Sequence, residues 1–123
     1  MLRDAVLIAF VGSTDLAVAD SFYGGVLGLE QLESSAFSRA YDAHGTMLRV
    51  THVAELTPGG YTVLGWDVPD IVAAVRELAA AGVSCARYET LDQDAGGIWT
   101  APGGTRVAWF LDPDGNVLSV SQA

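Results

Sequence analysis

Lysine is absent from the 123 residues, and six arginines stand against fifteen acidic side chains, a net charge of −9 at pH 7. Neutralising a phosphate backbone takes clustered cations and holding an anionic membrane takes a polybasic patch, so this balance argues against nucleic acid and membrane as partners. No apolar run approaches the roughly 20 residues that cross a bilayer, and no basic region leads into an apolar stretch and cleavage site. A cytoplasmic protein is therefore expected. Cysteine occurs once, so Cys85 forms no internal disulfide; its apolar context after Gly82 reads as a buried structural thiol rather than a nucleophile. Histidine occurs twice, His44 at the tip of a turn and His52 just beyond a strand end. Neither has an acidic residue at the spacing that would complete a metal site, and both read as surface residues.

What the chain does contain is β-type alternation around turn signals. Between Gly103 and Gln122, two alternating runs flank Asp112-Pro-Asp-Gly-Asn116, a hairpin turn in which Pro113 pre-sets φ and Gly115 supplies the positive φ of a tight reversal. An imperfect copy lies in Arg39–Thr51, where Asp42, Gly45, Leu48 and Val50 match Asp112, Gly115, Leu118 and Val120. A second echo matches Asp15-Leu-Ala-Val-Ala19 with Asp70-Ile-Val-Ala-Ala74, each ahead of an amphipathic run. Each half thus runs strand, helix, three strands, and periodicity by itself specifies a two-layer α+β domain.

In order, Ala5–Val11 reads as a strand covered on both faces, and Ser13 or Thr14 caps a helix with Leu16, Ala19, Tyr23 and Val26 on one stripe, ending at Gly28. Gly24 and Gly25 conflict locally with that helix, at about 1 kcal/mol each relative to Ala. Three short strands fill Leu29–Thr51, with the Asp42–Thr46 turn between the last two. Module one spans 1–55, the linker 56–59 and module two 60–123. Module two opens with the strand Tyr61–Val68, and Asp70 then caps a helix over Ile71–Ala81 that Gly82 stops. Strands follow at Cys85–Tyr88, Ile98–Thr100, Thr105–Leu111 and Val117–Ser121. The acidic loop Glu89–Gly97 is longer than its counterpart in module one, a length that suits a lid or rim.

A duplicated βαβββ module with this turn resembles the vicinal oxygen chelate superfamily of glyoxalases, bleomycin-resistance proteins and extradiol dioxygenases. The pieces that carry the resemblance are Asp15-Leu-x-x-Ala-x-x-Phe-Tyr-x-x-Val-Leu-Gly-Leu29 and Phe110-Leu-Asp-Pro-Asp-Gly-Asn116. It implies a cupped, incomplete β-barrel with helices outside, and in metal-dependent members one divalent ion held by residues of the first and last strands of each module. Carried over position by position, those sites fall on Ile8, Arg49, Val63 and Ser119. Apolar, cationic and hydroxyl side chains do not make a site for a hard divalent ion, so no metal, cofactor or catalytic residue is assigned.

Side-chain alternation, with Arg49 and Ser119 inward, turns Met47, Val117, Phe37, Arg39, Tyr41, Val107, Trp109 and Leu111 inward as well. A turn symmetric about His44 sets Arg39 directly opposite Arg49, a like-charge pair that calls for an anion from Asp42, a partner subunit or a ligand. The expected ligand-binding set is Phe10, Phe37, Arg39, Tyr41, Met47, Arg49, Trp99, Trp109 and Ser119, an aromatic pocket suited to a flat ligand with a few polar groups. Leu48, Leu64, Trp66, Phe110 and Leu118 form the opposite, helix-side core. By resemblance, the expected function is metal-free sequestration of an aromatic compound or antibiotic by a homodimer, as in the bleomycin-resistance branch. Two alternatives are a glyoxalase-like lyase or isomerase, with Asp42 or Asp67 as the only candidate bases, and a non-catalytic partner or sensor domain.

Overall fold

A computed structural model describes residues 1–123. The chain divides between Thr57 and Pro58 into two compact units. In the first, β1 (Ile8–Ser13) leads to α1 (Leu16–Ala19), which runs into a π-helical segment (Asp20–Val26), followed by β2 (Glu30–Ser34), β3 (Ser38–Ala43) and β4 (Thr46–His52). The second contains β5 (Thr62–Asp67), α2 (Ile71–Ala80), β6 (Trp99–Thr100), β7 (Arg106–Leu111) and β8 (Val117–Gln122). Each unit carries one open four-stranded mixed sheet, in the orders β1-β4-β3-β2 and β5-β8-β7-β6, with the first and last strands parallel and the others antiparallel. The expected α+β architecture of two βαβββ modules is what the chain adopts.

Local chemistry accounts for the helices. Asp15, rather than Ser13 or Thr14, caps the first: its carboxylate accepts from the Ala17 and Val18 amides at 3.0 and 3.2 Å. Ser13 still belongs to β1, and its hydroxyl instead closes onto Asp15, accepting from the amide and donating to the carbonyl. Asp70 caps α2 as expected, accepting from the Ala73 amide at 3.1 Å. The Gly24-Gly25 conflict is resolved by a wider turn, closed by an i→i−5 bond from the Leu27 amide to the Phe22 carbonyl at 2.9 Å. That segment buries Phe22 and Tyr23.

Two strand expectations are corrected. β1 starts at Ile8 rather than Ala5, because its parallel partner β4 begins only at Thr46 and leaves the preceding residues almost nothing to pair with. Cys85–Tyr88 is not a strand. The Gln93 side chain occupies its hydrogen-bonding groups instead, donating to the Ala86 carbonyl and accepting from the Tyr88 amide. A single ladder-like bond remains, from the Ala86 amide to the Trp109 carbonyl. Cys85 itself is half-buried rather than buried.

The two hairpins reverse differently. Positive φ at His44 (51°) and Gly45 (92°) makes a two-residue reversal, so Ala43 pairs with Thr46, Tyr41 with Leu48 and Arg39 with Val50. The second hairpin needs five residues, Asp112–Asn116, and pairs Leu111 with Val117 and Trp109 with Ser119. Pro113, at the position matching Ala43, has no backbone N–H and so cannot close a tight pair. Asp112 closes the wider turn instead: its amide donates to the Asn116 carbonyl at 3.0 Å, and its carboxylate accepts from the Asp114 and Asn116 amides and from the Asn116 side chain at 2.8–3.0 Å.

One face of each sheet is covered by its own helix. Val11, Phe22, Tyr23, Tyr41, Leu48 and Val50 form the core of the first unit, and Ile71, Val75, Leu78, Phe110, Leu118 and Val120 that of the second. No helix is long and apolar enough to cross a membrane. Trp66 pairs with Val120 on the helix-covered face and is half-buried. Trp66→Ala is expected to cost about 3 kcal/mol, the low end for truncating a buried aromatic, as read by urea unfolding of the two proteins.

Candidate functional site

The open face of the first sheet carries Ile8, Phe10, Met47 and Arg49, since Ile8 is the register partner of Met47 and Phe10 of Arg49. Phe10 is 61% exposed there. Opposite Arg49 on β3 stands Ala40, not Arg39. The two-residue reversal shifts the register by one position from the expected one, which turns the whole of β3 over. Ser38, Ala40 and Asp42 therefore share the face of Arg49, while Arg39 and Tyr41 lie on the helix-covered side.

The expected arginine pair is thus replaced by two separate ion pairs. Arg49 donates to Glu33 at 3.1 Å and to the Ser38 hydroxyl at 3.0 Å. Arg39 donates from Nε to Asp20 at 2.8 Å, across the sheet from Arg49. Asp20 also accepts from the Gln31 side-chain Nε2 at 2.8 Å and from the Tyr41 hydroxyl. Tyr41 is completely buried, with its ring 6.0 Å from that of Tyr23, and it lines no open surface. Phe37 precedes β3 and is 79% exposed, so it is not part of an enclosed wall. Asp42, expected as a possible counter-ion or base, accepts from the Gly45 amide and serves the turn.

In the second unit the expected parity holds across β7 and β8, with Trp109 directly opposite Ser119 on the open face. The Trp109 ring meets Tyr88 edge to face at 5.5 Å and 90°, and Trp99 at 6.0 Å with a 33° tilt. Beside them lies a groove of about 330 Å³ lined by Tyr61, Tyr88, Thr90, Leu91, Trp109 and Val117, with Gly60 and Thr62 at its edge. Trp99 lines a separate polar cleft of about 410 Å³ with Asp92, Asp94 and Arg106.

The loop after Tyr88 is built as a fixed rim. Gln93 donates to the carbonyls of Ala86 and Gly97, and Arg87 donates to those of Asp94 and Ala95. Gly97 is needed where it stands: its φ is 97°, and a Cβ there would come within 2.6 Å of Cys85 Cβ. Thr90 and Leu91 lie on a connection, where strand parity says nothing, and the unusual length of that loop is their one signal. Tyr61 and Tyr88 fall at the ends of two expected strands, but β5 begins only at Thr62 and Cys85–Tyr88 forms no strand, so parity does not place them.

Of the four inherited metal-ligand positions, Ile8 and Arg49 stand on the neighbouring strands β1 and β4. Val63 falls at an irregularity in β5, and the strand position opposite Ser119 is Gly65. Gly65 admits Ser119 closely, since a Cβ there would lie 2.8 Å from its hydroxyl. These four side chains offer one neutral hydroxyl and no carboxylate, imidazole or thiolate, which does not fit a divalent ion. In neither unit do three His, Cys, Asp or Glu side chains converge.

Residues 6–120 match the family model described as Glyoxalase/Bleomycin resistance protein/Dioxygenase superfamily. Among solved structures, the chain is similar to a member of that superfamily from Sphaerobacter thermophilus, with 24% identity, TM-score 0.76 and 100% of both chains covered. It is also similar to a lactoylglutathione lyase from Agrobacterium tumefaciens, with 16% identity, TM-score 0.77 and coverage of 100% of this chain and 96% of that one. A genomically encoded fosfomycin resistance protein from Listeria monocytogenes shows 13% identity and TM-score 0.74, covering 98% and 93%. At these identities the likeness is one of fold. None of the curated proteins matches the chain.

Burial first, and then the hydrogen bond and charge of Asp20, push the Tyr41 phenol well above its ordinary value. The unfolded chain releases this proton near pH 10 while the folded chain keeps it, so the stabilisation is complete below pH 10 and is lost as pH rises beyond it. Tyr41→Phe should cost about 1 kcal/mol at neutral pH and flatten the loss of stability above about pH 10. Urea midpoints of both proteins across that range check the sign.

Proposed function

We propose that this chain, which belongs to the Glyoxalase/Bleomycin resistance protein/Dioxygenase superfamily, is a metal-independent small-molecule binding protein. In this reading it sequesters a flat aromatic compound or antibiotic without altering it, as the bleomycin-resistance branch of the superfamily does. The observation that carries the reading is the aromatic groove of the second unit, where Tyr88 and Trp109 form a right-angled corner beside Tyr61. Such a corner offers one ring face and one ring edge to a planar ligand, the arrangement that aromatic pairs favour. In the second unit, Trp99 and Ser119 flank Trp109 as further contact residues, and the working form is a cytoplasmic homodimer.

An enzyme of the same superfamily would need a general base. Asp42 is held by the Gly45 amide, and Asp67 is exposed at the end of β5, so neither is set up for proton abstraction. Ile8, Arg49, Val63 and Ser119 do not fit a divalent ion that would polarise a substrate oxygen or activate a water.

The test is a thermal-shift and tryptophan-fluorescence screen of planar aromatic antibiotics, with mass spectrometry of the recovered compound. Binding without modification is expected. Trp109→Ala should weaken it by about 2 kcal/mol, roughly thirtyfold, with little loss of fold stability. Chemical conversion of the compound would replace the sequestration reading with a catalytic one. Added Ni, Zn, Mn or Fe ions should leave the melting temperature unchanged, because a native-state site would couple metal binding to stability. Elemental analysis of protein purified without chelator supplies the second check, and stoichiometric metal would overturn the metal-independent part of the proposal.

A further inference from the structure

No charged side chain lines the groove of the second unit. Tyr61, Tyr88 and Trp109 supply ring surface, Leu91 and Val117 supply aliphatic surface, and the polar groups are uncharged: the hydroxyls of Thr62, Thr90, Tyr61 and Tyr88, the Trp109 indole N–H and the backbone. A hydroxyl both donates and accepts, so it satisfies an uncharged polar group of either kind but does not neutralise an ion. Of the two cations close in sequence, Arg87 is committed to the Asp94 and Ala95 carbonyls and Arg106 to the Gln122 side chain. Glu89 and Asp92 flank the lining residues of the rim, and the chain as a whole carries −9. A ligand carboxylate, phosphate or sulfonate would therefore exchange water for neutral donors alone, with no cation to pair it, and would meet a repulsive field.

We propose that this groove takes a planar ring system of about two or three fused rings that carries no negative charge, and that it discriminates against anions, the size following from a volume near the lower end for small-molecule sites. The inference rests on the binding reading above and adds the charge class of the ligand. The groove is preformed, because Gln93 and Arg87 hold its rim in place, so little ordering of the protein offsets the stacking energy.

The experiment compares methyl 2-naphthoate with 2-naphthoic acid at about pH 7.5 by isothermal titration, on the full chain and on Trp109→Ala, Thr90→Lys and Arg49→Met. The ester should bind, the acid should bind at least about tenfold more weakly, and Trp109→Ala should weaken the ester. Thr90 is exposed on the rim, so Thr90→Lys adds a cation there without disturbing the core; it should bring the acid level with the ester or ahead of it. An acid that binds wild-type protein as tightly as the ester, with both weakened by Trp109→Ala, overturns the charge inference and leaves the binding reading standing. An acid preference abolished by Arg49→Met overturns it too, and moves recognition to the ion pair of the first unit. If neither compound binds, the inference and the reading beneath it fall together.

Discussion

A backbone N–H present at Ala43 and missing at Pro113 separates the two halves of this chain more than any side chain does. With it, the first hairpin closes over two residues of positive φ; without it, the second opens to five and is closed by the backbone and carboxylate of Asp112 together. Register follows from the turn, and a shift of one residue exchanges the two faces of a strand. The same repeat unit therefore presents Trp109 on the open face of its sheet, yet sends Tyr41 and Arg39 into the helix-covered face of the other. The aromatic groove of the second unit and the polar hub of the first are two outcomes of one difference in turn length.

Where an aromatic and an arginine are turned inward, they need partners, and Asp20 provides them. Its place in the π-helical segment lets it receive Gln31 from β2 and Arg39 and Tyr41 from β3 at once. The second unit ties its helix to its sheet by a lighter version of the same device. There the Gln122 side-chain oxygen accepts from the Ile71 amide at the start of α2 and from Arg106 on β7, both at 2.9 Å. In each case a single polar acceptor fixes helix against strands and leaves no donor stranded in the core, since no buried side-chain polar atom lacks a partner.

The connection between α2 and β6 shows how a side chain substitutes for a strand. Gln93 pairs with the backbone on both sides of the loop, doing for residues 86–88 what a neighbouring strand would otherwise do. This frees Tyr88 from the strict alternation of a ladder and lets its ring meet Trp109 edge-on. Stability of the loop and shape of the groove are consequently the same problem.

Much of the architecture was legible in the residues themselves. The duplicated Asp-led helices, the alternating runs and the two turn signals determined two βαβββ modules, the Asp70 cap, the bounds of α2 to within a residue and the open-face position of Trp109. The residue types at Ile8, Arg49, Val63 and Ser119 were equally plain, because chemical identity does not depend on folding. Tertiary structure decided the parity of β3, since turn closure is set by hydrogen bonds between residues already brought together, and matching letters at Asp42 and Gly45 concealed the missing N–H at Pro113. It also decided the partners of Arg39 and Arg49 and the convergence of Tyr61, Tyr88 and Trp109. Those meetings join residues 11 to 48 positions apart across turns and loops, whose paths no local periodicity encodes.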